Sequence, residues 1–231
     1  MNRISAVIRM QLRKKLLVFA MPWLILGSSF VVNLLIAMTS PMPDGEGFYT
    51  GGIASIFVYL LIQGIITPIQ TFPFTLGLGI HRSDYYWGTA LATTYILFLF
   101  SLGLFLLSII EGTWTDHWGV DLHFFDLPYW SDGSLLNRWW NPFALLLNQF
   151  WLGFMISSFF KRFGKTGMLI ATIASIVIGT LGLYIVSYQN WWPSIGEWFS
   201  NRTMAEITLW TLPVTFVFAA LSKLFVRRTT L

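Results

Sequence analysis

The sequence predicts an all-helical integral membrane protein: six membrane-crossing helices behind an N-terminal amphipathic helix, in one domain over residues 1–231. Three observations carry this. Of the 231 residues, 55% are hydrophobic and only 10% charged, whereas a water-soluble domain carries about 25% charged residues to solvate its surface. Six apolar runs reach the ~20 residues that a helix needs to cross the hydrocarbon core of a bilayer. Finally, basic and acidic side chains sort onto alternate connections between those runs.

Residues 1–15 come first. Ile4, Ile8 and Leu12 recur at helical spacing with Arg9 and Arg13 beside them, the pattern of a short helix lying in a membrane interface. An unstructured basic tail that only fixes orientation is the alternative. The run that follows exceeds the ~7–15 residues of a signal-peptide core and has no small-x-small cleavage site after it, so it reads as a retained first span. Spans are expected at 17–38, 52–78, 86–110, 139–160, 167–188 and 204–226, all within 16–228. None carries an ionised side chain in its middle, where each would cost roughly 3 kcal/mol. Glu111 and Glu206 fall at span ends, where water is expected to reach them.

The connections then orient the chain. The N-terminus, the loop around Arg82, the loop around Lys161 and the C-terminus together hold all but Arg138 and Arg202 of the 14 Lys and Arg. Of the 10 acidic residues, Asp84 alone shares that side. The positive side is the cytoplasmic one, so both termini are expected inside. The net charge of +4 is thereby a matter of membrane orientation and calls for no nucleic-acid partner. Twelve Trp suit a protein with two membrane–water interfaces to anchor. The chain has no Cys, which excludes disulfides and thiolate metal sites.

On the opposite, outer side, 41–51 is rich in Gly and Pro and reads as a turn. The large extracellular loop, 111–138, interleaves Asp116, Asp121, Asp126 and Asp132 with Trp114, Trp118, Phe124, Phe125 and Trp130. His117 and His123 lie among these carboxylates without a fixed spacing on one helix face, and solvated loop residues are the expectation, with no metal bound. The stretch 189–203 holds Trp191, Trp192, Pro193 and Trp198, too apolar for a free loop, and is expected to dip into the outer interface.

The most informative segment is Phe74-Thr-Leu-Gly-Leu-Gly-Ile-His-Arg-Ser-Asp-Tyr-Tyr-Trp-Gly-Thr89. It is a cytoplasmic connection that mixes Gly, both signs of charge and adjacent aromatics. Gly77 and Gly79 let the chain leave the second span at a sharp angle. Ser83 reads as the N-cap of the third helix, with Asp84 favourable in its first turn. A turn that merely reverses direction is the plain alternative.

A Pro-containing second span, then Leu-Gly-Leu-Gly-Ile-His-Arg-Ser-Asp-Tyr-Tyr and an apolar third span, resembles bacterial ABC-2-type transporter permeases. The layout of the whole chain does too: a basic interfacial helix, six spans, a large outer loop between spans three and four, and Lys-Arg-Phe-Gly-Lys (161–165) after span four. The resemblance implies the membrane-spanning subunit of an ATP-driven exporter in a bacterial plasma membrane. In that family a Leu-Gly-x-x-Arg-x-Asp-like stretch docks onto the ATPase. Carried over, the coupling residues are Gly77, Gly79, His81, Arg82, Ser83, Asp84 and Tyr85. The partners implied are cytoplasmic ABC ATPase subunits, a second permease subunit and membrane lipids. No cofactor is expected on this chain; ATP and Mg belong to the partner ATPase.

Two local look-alikes are set aside. Gly164-Lys165-Thr166 resembles the end of a P-loop, but G-x-x-x-x-G-K-[ST] requires Gly at the position of Phe159 and a preceding strand. No constellation for catalysis, such as HExxH or paired acids within a span, is present. Polar side chains inside the spans, Asn33, Gln63, Thr67, Gln70, Asn148 and Gln149, must face another helix or a watery path. They are expected either to line a translocation route or to hydrogen-bond between helices. Pro68 and Pro73 make the second span a candidate moving element. Ala171, Ser175 and Gly179 form a small-residue stripe for close packing within the chain or across a dimer. Spans without ionisable groups suit hydrophobic or amphipathic cargo, a drug, peptide or antimicrobial. An ion-coupled secondary transporter and a non-transporting membrane scaffold remain the alternatives.

Overall fold

The computed structural model describes residues 3–13, 16–39, 47–131 and 133–228. The expectations for Lys14, Lys15, Asp132 and most of the 41–51 turn lie outside them. The described chain is helical almost throughout. In order come α1 (Arg3–Arg13), a five-residue π turn (Leu16–Ala20), α2 (Met21–Thr39), β1 (Phe48–Tyr49), α3 (Ala54–Gly77) and α4 (Arg82–Ile109). A second π turn (Ile110–Trp114), β2 (Leu122–His123), α5 (Pro128–Ser131), α6 (Leu135–Tyr188), α7 (Trp192–Ser200) and α8 (Met204–Arg228) follow.

Five of these helices are long and apolar enough to cross a membrane: Val18–Thr39, Ala54–Gly77, Arg82–Trp114, Leu135–Tyr188 and Met204–Arg227. At 1.5 Å per residue, the 54 residues of α6 would measure about 80 Å, far beyond the ~30 Å of a hydrocarbon core. The element is not one rod. At Gly164 the backbone turns to φ 67° and ψ −166°, a region that essentially only glycine enters. The basic stretch Lys161–Lys165, expected as a loop, is thus helix up to a one-residue break, which leaves limbs of 135–163 and 165–188.

The core lies where α3, α4 and limb 135–163 meet. There Leu60, Phe72, Tyr85, Leu97, Phe100, Leu104, Phe150 and Phe154 are buried. Two glycines set the α3–α6 spacing. A Cβ at Gly64 would strike the carbonyl oxygen of Phe150, and a Cβ at Gly153 that of Leu61. The two backbones therefore touch where neither side chain exists, the close approach that small residues permit between membrane helices. α3 runs through Pro68 and Pro73 without interruption. Beside the prolines, the Thr67, Thr71 and Thr75 hydroxyls donate to the carbonyls of Gln63, Thr67 and Thr71 at 2.7, 2.7 and 2.9 Å.

Elsewhere the helices present apolar side chains outward. Limb 165–188 is exposed along almost its whole length, with Ile178 at 69% and Ile170 at 61%. The stripe Ala171, Ser175 and Gly179 is not packed within the chain, for a Cβ on Gly179 would meet open space. Such a surface is untenable in water and ordinary against lipid. α7 carries Trp192, Trp198 and Phe199 exposed among its nine residues, with Trp191 exposed at its N-cap, which gives the apolar stretch 189–203 a surface helix.

Candidate functional site

The α3–α4 connection is a tight, hydrogen-bonded turn. α3 ends in a Schellman motif, the Gly79 N–H donating to the Leu76 carbonyl at 2.9 Å and the Ile80 N–H to the Thr75 carbonyl at 3.2 Å. Gly79 takes φ +73° with open space around it, as the motif requires. Gly77 is the last residue of α3. The cap of α4 differs from expectation: His81, extended at φ −67° and ψ 147°, holds the N-cap position without a side-chain bond, and Ser83 sits exposed inside the first turn. Sequence reasoning favoured serine for its hydroxyl, but Ile80 and His81 leave the turn extended, and the helix starts two residues earlier.

Within this segment, exposed and buried residues alternate in function. Gly77, Gly79, His81 and Ser83 are exposed, Arg82 and Asp84 partly so. Arg82 donates from Nη1 to the Arg227 carbonyl at 3.0 Å, which ties the turn to the end of α8. Tyr85 is fully buried, its hydroxyl 2.8 Å from that of Thr71 on α3 and its ring against Phe72. One turn of helix therefore separates an exposed polar tip from an anchor locked into two helices.

α1 seats on the same region. Val7, at 0% exposure, faces Gly88 on α4, where any Cβ would collide with it. Gln11 is buried and donates to the Thr89 hydroxyl at 3.4 Å. The expected stripe of Ile4, Ile8 and Leu12 is only half-buried; the residues that dock are one helical position away, because the partner is a glycine notch on α4 as well as an apolar medium. Lys161 lies over the Phe72 ring at 5.1 Å and Lys223 over Trp87 at 4.7 Å, so both approach this end too.

The six polar span residues are not gathered into one channel. Gln63 and Thr67 share a small interior cavity of about 30 Å³ with Gln11 and Thr93. Asn148 donates to the Thr215 hydroxyl at 2.9 Å and so joins α6 to α8. Asn33 sits at the far end, donating to the Ser29 carbonyl and accepting from the Thr50 hydroxyl. Gln70 is exposed, and Gln149 half-buried.

At that far end, sequence reasoning missed an organised cap. Glu111, expected in contact with water, is fully buried. Its carboxylate accepts from the main-chain N–H groups of Phe124, Phe125 and Asp126 at 2.8, 3.0 and 2.8 Å, and from the Trp118 indole at 2.8 Å. β1 and β2 pair in parallel, Phe48 beside Leu122 and Tyr49 beside His123. Asp126 accepts from Arg138 at 3.0 Å at the start of α6. Asp116, His117, Trp118 and Asp121 all adopt positive φ, at a cost on the order of 1 kcal/mol each. His117 and His123, expected as solvated loop residues, are half-buried with their rings in contact at 4.0 Å between centroids. The one readable signal was an acidic residue closing a long apolar run. The chain matches no family model, and no characterised protein or solved structure is significantly similar to it.

Proposed function

We propose that the chain is the membrane-spanning permease subunit of an ATP-driven exporter of ABC-2 type, in a bacterial plasma membrane. In this reading α6 contributes two crossings on either side of Gly164, giving six, with both termini cytoplasmic. The observation that carries the proposal is the α3–α4 turn: a hydrogen-bonded, partly exposed tip with opposite charges at Arg82 and Asp84, one helical turn from the buried Tyr85 anchor. Described residues Arg3, Arg9, Arg13, Arg82, Lys161, Arg162, Lys165, Lys223 and Arg227 fall on the same side in that topology, which supports a cytoplasmic assignment.

The mechanical consequence follows from packing. A force on the tip is transmitted to α3 through Thr71 and Phe72, to α1 through Gly88, and to α8 through Arg82. Closure of the ATPases on ATP, held with Mg on the partner chains, would tilt α3 and α4 together. Arg82 and Asp84 give the docking surface register more than affinity. A second permease subunit would complete a route for hydrophobic or amphipathic cargo between the two copies.

The test is co-purification of the full-length protein from its native membranes. An ATPase retained by the wild type and lost on Arg82→Glu with Asp84→Lys supports the exporter. Transport that persists with no ATPase present supports an ion-coupled carrier instead. Intact folding with neither ATPase nor transport points to a scaffold.

A further inference from the structure

The cap at the far end from the coupling turn brings together two of the chain's three histidines, His117 and His123, five residues lying between them in the sequence. A ring nitrogen of each and a carboxylate oxygen of Glu111 lie within 4.8 Å of one another. Nothing in the exporter reading uses them.

The nitrogens are set up as ligands. His123 Nδ1 lies 3.2 Å from the Asp126 carbonyl oxygen. In the tautomer that donates from Nδ1 to this carbonyl the Nε2 lone pair is left free, the arrangement that orients metal-bound histidines. Asp121 Oδ1 stands 3.5 Å from that Nε2. Two ligands bound at ~2.0–2.1 Å to a tetrahedral Zn²⁺ are about 3.3–3.4 Å apart, so this pair already has near-ligand spacing. His117 Nδ1 is buried with no hydrogen-bond partner, an uncompensated polar atom in a segment held at positive φ from Asp116 to Trp118.

We propose that His117 and His123, beside Glu111, hold a divalent transition-metal ion, Zn²⁺ being the best match, with Asp121, close to His123 alone in the empty site, and water completing the coordination. Imidazole and carboxylate donors together select zinc over the oxygen-seeking Mg²⁺ and Ca²⁺. Glu111 contributes charge from behind rather than a bond, because its oxygens already accept four N–H groups. Two carboxylates against one dication leave the centre neutral, as a partly buried site demands. Asp126 is engaged by Arg138 and stays outside the set. Tyr49, stacked on His123 at 4.5 Å, shields the other ring face. An ion there would staple β2 to the left-handed turn and lock the cap.

The site is independent of the exporter reading and is tested on untagged full-length protein in detergent. Calorimetric titration with Zn²⁺ is expected to give one ion per chain, with affinity at least tenfold weaker in His117→Ala and in His123→Ala. Mg²⁺ should not compete. In parallel, the electron paramagnetic resonance spectrum of the Cu²⁺-loaded wild type should show coupling to two imidazole nitrogens. No stoichiometric Zn²⁺ binding by the wild type overturns the site, and so does unaltered affinity in both variants. Should either variant fail to fold, the wild-type copper spectrum decides: two imidazoles support the site, one or none refutes it.

Discussion

Removing the Glu111 carboxylate should loosen the cap more than any other single change there. Glu111→Ala leaves three main-chain N–H groups and the Trp118 indole without their acceptor in a fully buried setting. Each orphaned donor costs roughly 1–3 kcal/mol. Water entering the vacated volume recovers part of that, so a net loss of at least ~3 kcal/mol is expected. For a chain of this size ~1 kcal/mol corresponds to about 2–4 °C in Tm. Glu111→Gln discriminates the cause. Its carbonyl oxygen can take the place of Oε1 against Phe124 and Asp126, while its amide would face the indole N–H, so about a third of the loss is expected. The assay is thermal unfolding in detergent alongside limited proteolysis between Thr115 and Pro128. An alanine variant as stable and as protease-resistant as the wild type would refute the reasoning.

Two further substitutions probe the bundle. Gly153→Leu forces α3 and α6 apart at their backbone contact with Leu61; a loss of ~1–3 kcal/mol or more is expected, read as a lower Tm, and an unchanged Tm would contradict the packing described. Asn148→Leu removes the hydrogen bond to Thr215, worth ~0.6 kcal/mol on average between membrane helices. It should lower stability slightly and leave the proposed transport intact, whereas a selective loss of transport would place Asn148 on the proposed substrate route.

What was legible in the sequence was what depends on local composition. The apolar runs became long helices because hydrocarbon forces every backbone group to pair within its own segment. Gly79 was readable as a turn residue because its φ is intrinsic to the Schellman stop at the end of α3. The cap of α4 was misread at Ser83, where a preference of under ~1–2 kcal/mol yields to the geometry of the preceding turn. Glu111 was illegible in its role, since its main-chain donors lie 13 to 15 residues downstream, its indole donor seven, and all point inward only with Asp116, His117 and Trp118 left-handed. The meeting of His117 with His123 depends on that same turn. Docking of α1 by Val7 in place of the Ile4–Ile8–Leu12 stripe depends on a notch at Gly88, which no property of α1 itself encodes.

The central claim is that the α3–α4 turn is the seat of a motor protein. Because the chain has no Cys, Ser83→Cys introduces a single thiol on the exposed first turn of α4. Crosslinking from that thiol in native membranes, with a short bifunctional maleimide, should yield an adduct containing an ABC ATPase, increased by ATP and abolished by Arg82→Glu with Asp84→Lys. Labelling of the same thiol in intact cells by a membrane-impermeant maleimide, with no ATPase adduct formed, would contradict it.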